Sequence, residues 1–205
     1  MPRSAAGMLV LLAFWLAPPL SADQRECLLV EVDFEGVVDA AADLGPLTEM
    51  VEKGSRMRGR YQIDSCATPS GRQPNSTSYM DAIDPQDFEM EIGRVRFWPS
   101  RDARVQLSVG NEIKSGNDTL DVWSVDAPQA EADVDLEGAE ITLFLNLADD
   151  THSVFDSKAL VTVPDLVRFS SNRFGVSRRA ERDGRTYEAL FIAGELTQLR
   201  SIRSR

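Results

Sequence analysis

Reactive side chains are scarce in this chain. Histidine occurs once, at His152, and cysteine twice, at Cys27 and Cys66. A zinc site needs three or four His, Cys or carboxylate ligands, and one imidazole with two cysteines tied to each other does not supply them, so no metal is expected. A Ser-His-Asp relay would have to run through His152 with Ser153 or Asp156, and no Gly-x-Ser-x-Gly elbow precedes a helical pattern. Positive charge is short as well: 22 Lys and Arg against 33 Asp and Glu give a formal charge of −11. Such a chain repels phosphate backbones and anionic lipid, so nucleic acid is not an expected partner. There is no glycine-rich phosphate loop, no internal repeat and no interdomain linker. Beyond the N-terminus no apolar run approaches the about 20 residues that span a bilayer.

The one sustained apolar run opens the chain. Arg3 supplies a basic start, Met8 to Ala17 an apolar stretch, and Leu20-Ser21-Ala22 a small-residue cleavage site. Residues 1–22 therefore read as a secretory signal, with maturation at Asp23. The run is short for a membrane anchor, and Pro18 and Pro19 break it. The expected location is secreted or periplasmic, with no stable membrane insertion after cleavage. Residues 23–205 then form a single domain of ordinary size. Arg3 is the one charged residue removed, so the formal charge becomes −12.

Alternation with period two recurs, and no long helical stripe does. In 27–36 Leu28, Val30, Val32 and Phe34 are apolar, while Glu31, Asp33 and Glu35 are acidic. In 57–66 Met57, Tyr61 and Ile63 share one face, with Arg58, Arg60, Gln62 and Asp64 on the other. An antiparallel register whose partner numbers sum to 93 places Asp33 opposite Arg60 and Glu35 opposite Arg58. It also sets Val32 against Tyr61, Val30 against Ile63 and Cys27 against Cys66. A slip of one residue would set core faces against charged faces. An even cysteine count in an oxidising compartment favours a Cys27–Cys66 disulfide, the alternative being two buried free thiols.

Further strands are expected over 88–97, with a turn or bulge at Gly93, and over 105–109, 120–125, 141–148, 173–178 and 187–199. Turns are expected at 115–118 and at Asp183-Gly184, and exposed loops over 67–78 and 127–135, the latter holding Pro128. The strand over 141–148 is nearly all apolar, as for one covered on both faces. Ala40 to Lys53 has room for one short helix or an irregular crossing. Eight or nine short strands argue for an all-β fold, an antiparallel, jelly-roll-like β-sandwich.

With this layout the chain resembles secreted bacterial β-sandwich proteins of unknown function, many of them exosortase-sorted (PEP-CTERM-type). The similar stretches are VEVDFEGVV, KGSRMRGRYQID, FEMEIGRVRF, DVWSV, LFLNLADDTHSVFDSKAL with PDLVRF after it, and IAGELTQL. The chain departs from that group by ending at Arg205 without Val-Pro-Glu-Pro, an apolar helix and a basic cluster. The resemblance implies a sandwich and export, and it brings no catalytic residue.

Acidic pairs such as Asp149-Asp150, Asp133 with Asp135, Asp81 with Asp84, and Glu89 with Glu91 offer candidate glycosidase carboxylates, or more plainly solvated turns and strand faces. Asp149, Asp150 and Thr151 with Asp156 could hold calcium, although the spacing is not that of an EF-hand. Trp98 and Trp123 are candidates for a sugar-stacking platform or for the core. No cofactor is expected. The reading is an exported, non-catalytic module that binds or scaffolds an envelope or extracellular ligand, a glycan among the candidates. Its rival is a secreted glycan hydrolase working through a carboxylate pair in a Trp-lined cleft.

Overall fold

Along β1 (Leu29–Ala41) Val30, Val32 and Phe34 are buried, while Asp33 and Glu35 turn outward. On β2 (Arg56–Asp64) Met57, Tyr61 and Ile63 are buried and Arg58 and Arg60 are exposed. The two strands pair antiparallel in the expected register: Val30 with Ile63, Val32 with Tyr61, Asp33 with Arg60 and Glu35 with Arg58. Just beyond the ladder Cys27 and Cys66 form the expected disulfide, their Cα atoms 5.3 Å apart.

The computed structural model describes residues 27–42, 45–116, 118–136, 140–182 and 185–204. The expected signal (1–22), Asn117 of the turn expected at 115–118 and the turn expected at Asp183-Gly184 lie outside them. The remaining strands are β3 (Gly71–Arg72), β4 (Ser76–Tyr79), β5 (Glu89–Ile92), β6 (Val95–Pro99), β7 (Gln106–Ser115), β8 (Asp118–Ala132), β9 (Glu140–Asp149), β10 (Ser171–Arg182) and β11 (Arg185–Ser204). The all-β expectation holds, with eleven strands among the described residues. Between Ala40 and Lys53 the described residues cross irregularly, with a single 3-10 turn at Gly45–Leu47. It starts on a glycine at φ 52°, and it buries Leu47.

The sandwich does not form. The sheet closes on itself as an eight-stranded barrel in the order β8-β6-β5-β2-β1-β11-β10-β9, because β8 also pairs with β9. The residues responsible lie in 127–135, read above as a loop. β8 continues through them to Ala132, and Ala127 and Ala130 are buried. Its first part, up to Asp126, pairs with β7, and Ala130–Ala132 pair with β6. Pro128 lies between those two partners beside a register shift at Gln129, whose φ is 54°. A bulge tolerates a proline that a regular central strand would not, and it bends the strand around the barrel. Strands β7, β4 and β3 branch from β8 as a flap, which takes up part of the expected loop over 67–78.

Other expectations shift in detail. Gly93 makes a tight turn between β5 and β6 at φ 61°. The strand over 141–148 pairs on both edges but buries one face only, with Asn146 exposed on the other.

The barrel interior is filled. Phe34, Tyr61 and Phe88 pack with ring centroids 6.0–6.1 Å apart. Trp123, Phe97, Phe174, Met57 and Met90 are buried around them, the packed core expected of a barrel this narrow. Close approaches need glycine. A Cβ on Gly59 would stand 2.3 Å from the Phe34 ring and 2.4 Å from the Glu89 carbonyl oxygen. One on Gly194 would stand 2.3 Å from the Phe174 ring.

Candidate functional site on the outer wall

The side chains the sequence made conspicuous divide between scaffold and surface. Trp123 is fully buried, and its Nε1–H donates to the Val161 carbonyl at 2.9 Å. That bond helps to strap the segment 150–170 onto β8. Tyr79 donates its hydroxyl to the Lys158 carbonyl at 3.1 Å in the same strap. Asp121, also fully buried, accepts the N–H groups of Glu112, Val154 and Phe155 at 3.0–3.1 Å. Opposite it on β9, Asp149 accepts the Thr151 hydroxyl at 2.7 Å and the Ser153 N–H at 3.2 Å. Burial pushes the Asp149 carboxyl up, but these bonds, a backbone bond from Thr151 and the nearby His152 outweigh it and hold it below the usual carboxylate range.

These placements answer two of the expectations. Asp149 is buried and turned toward its own loop, whereas Asp150 and Asp156 are exposed. Among the described residues the one cluster with three ligand atoms within reach is Cys27, Asp64 and Cys66, and both of its sulfurs are in the disulfide. The proposed calcium group is not brought together. His152 is exposed at φ 56°, and the Ser153 hydroxyl bonds to Thr151, at 2.8 Å. No Ser-His-Asp relay is assembled there.

The surface features converge elsewhere, on the outer wall formed by β11, β1, β2, β5 and β6. Four clefts lie along or at the edge of this wall. Antiparallel register stacks its charges into transverse rows. One row runs Arg200, Asp33, Arg60, Glu89. The next runs Gln198, Glu35, Arg58, Glu91, Arg96. The ion pairs differ from those the β1–β2 ladder suggested. Arg60 Nε meets Glu89 at 3.0 Å, and Arg58 Nη2 lies 3.0 Å from both carboxylate oxygens of Glu91. Asp33 turns to Arg200, at 3.8 Å. Arg58 and Arg60 each have an acid on either side, and β5 supplies the better geometry. Exposed pairs of this kind contribute at most about 1 kcal/mol each. Their larger effect is to disfavour other registers, since like charges opposite each other are destabilising.

At the β6 end of the wall the pattern changes. Val95, Phe97 and Pro99 point into the core, and Arg96 and Trp98 point out. Trp98 Nε1–H donates to Glu131 Oε2 across the β6–β8 pair at 3.1 Å. Trp98, Arg96, Arg101, Glu89, Glu131 and the edge of Phe88 line one open cleft. The Trp-lined cleft with two carboxylates is therefore present, but Glu89 is engaged by Arg60 and Glu131 by the indole. Trp98 stands out of phase with Val95 and Phe97, so its outward direction is legible in the sequence. Asp121 shares the core phase of Trp123 and Val125, which is the one sequence signal of its burial. No protein-family model, curated protein or solved structure matches this chain.

Proposed function

We propose that this protein is an exported, non-catalytic binding module that engages an envelope or extracellular-matrix component through the outer wall of its barrel. The observation that carries the reading is the division of labour between inside and outside. Among the described residues the interior is closed by packed aromatic and aliphatic side chains, with no chamber for a ligand. Four clefts gather on one charged, water-facing wall instead, and a fifth lies apart from it, between Arg72, Tyr79 and Lys158. A membrane barrel presents an apolar outer band, and each charge at mid-bilayer costs it about 2–4 kcal/mol. Here Asp33, Glu35, Arg58, Arg60 and Glu91 occupy that surface, which supports a barrel surrounded by water. Export rests on the leader-like start, and the disulfide suits an oxidising compartment.

The test is co-sedimentation of the purified protein with insoluble envelope and matrix fractions. Binding should saturate. It should fall in Arg58→Glu on the wall and persist in Arg179→Glu on β10. Absence of saturable binding, or equal loss in both variants, would sink the proposal. Release of reducing sugar from these fractions, abolished in Glu89→Gln, would replace it with the hydrolase.

A further inference from the structure

We infer that the cleft beside Trp98 binds acidic sugars, uronate-bearing oligosaccharides in particular. The inference rests on the outer-wall reading and adds the ligand class.

The indole comes first. Trp98 is half-buried on the outward face of β6, with its ring edge fixed by Glu131. A ring held this way presents a flat, electron-rich face at little further entropic cost. The polarised C–H groups on one side of a pyranose match that face. Trp123, wholly inside the barrel, offers nothing comparable.

Charge selects among sugars. Both carboxylates that line the cleft are engaged, Glu89 by Arg60 and Glu131 by Trp98. Asp133, just beyond, gives one oxygen to the backbone N–H of Arg96 at 3.1 Å. Glu91, opposite Arg96 on β5, is held by Arg58 through both oxygens. The Arg96 and Arg101 guanidiniums are exposed and have no carboxylate partner among the described residues. A protein of formal charge −11 thus places two uncommitted guanidiniums in the cleft of its surface tryptophan. The planar fork of arginine matches a carboxylate through two parallel hydrogen bonds. A neutral sugar would leave both forks unused.

The probe is a galacturonate tetramer, with its methyl-esterified, uncharged counterpart as control. Calorimetry gives affinity, and the Trp98 indole N–H resonance, assigned through Trp98→Phe, gives location. The acid form should bind, shift the Trp98 resonance and leave that of Trp123 in place. Methyl esterification, and the double variant Arg96→Gln/Arg101→Gln, should each weaken binding at least tenfold. Equal affinity for acid and ester, unchanged affinity in the double variant, or no binding of the tetramer would overturn the inference. If co-sedimentation persists while the tetramer fails to bind, the wall reading stands and the ligand class is wrong. If both fail, the wall reading falls with it.

Discussion

The Tyr61 hydroxyl is buried against Phe34 and Phe88 with no hydrogen-bond partner among the described residues. Burial pushes its pKa up, because a phenolate there would lose all hydration. A buried donor left unsatisfied costs about 1–3 kcal/mol, while the ring itself packs well. Tyr61→Phe should therefore stabilise the protein by about 1 kcal/mol, read as a higher urea midpoint at unchanged slope; a lower midpoint would show that the hydroxyl has a partner. Asp121 is the opposite case, a buried acid with three donors to satisfy. Asp121→Ala strands the N–H groups of Glu112, Val154 and Phe155 and should cost upwards of about 3 kcal/mol. Asp121→Asn keeps one acceptor and should fall between it and the parent. Amide exchange at Val154 and Phe155 should quicken in both variants. Asp149 adds a pH dependence. Its folded pKa lies below the unfolded value of about 3.9, so its contribution is complete above that value and is lost as pH falls through the folded pKa. Asp149→Asn should be less stable than the parent at neutral pH, and the gap should narrow below about pH 4. A gap that stays constant with pH would exclude this linkage.

Strands β1 and β2 show how an element can be read ahead of its structure. Alternation put the side chains on the correct faces, and opposite charges together with two cysteines at matching offsets selected one register, which the barrel adopts. Chain-entropy arguments assign the disulfide, across 39 residues, about 3–4 kcal/mol. Reduction should lower the thermal midpoint by roughly 10 °C for a chain of this size. An unchanged midpoint with free thiols titrating would contradict this. The β2 glycine is a second sensitive point. Gly59→Ala drives a methyl group into Phe34 and the Glu89 carbonyl and should cost about 1–3 kcal/mol by overpacking. Restoration by a smaller residue at Phe34 in the double variant would locate the clash. Barrel closure was not legible. It depends on β8 meeting β9 on one edge while exchanging β7 for β6 on the other, and Pro128 in an acidic stretch looks like loop until that bulge is known. The site was legible in part. Phase alone turns Trp98 outward, and Arg101 follows it closely in sequence, but Glu131 reaches the cleft from β8.

At the scale of the molecule, β1 and β11 are neighbours, joining the two ends of the described chain: Val30 pairs with Ser204 and Phe34 with Leu199. A chain lacking β11 keeps β1 and β10 but leaves one edge of each open, as a template for other chains. Termination after Arg182 should therefore yield protein that aggregates, whereas an equally long deletion from a chain whose ends lie apart could leave a soluble remnant. A monodisperse truncated product would contradict this. The same adjacency orders events in time. Until the twenty residues of β11 arrive β1 has one partner only, whichever side of a membrane the chain folds on. Pairings this distant in sequence are slow to find. The disulfide, joining residues separated by 39 positions, becomes available long before them. It holds the opening hairpin in register and gives the final strand a prepared edge to dock on.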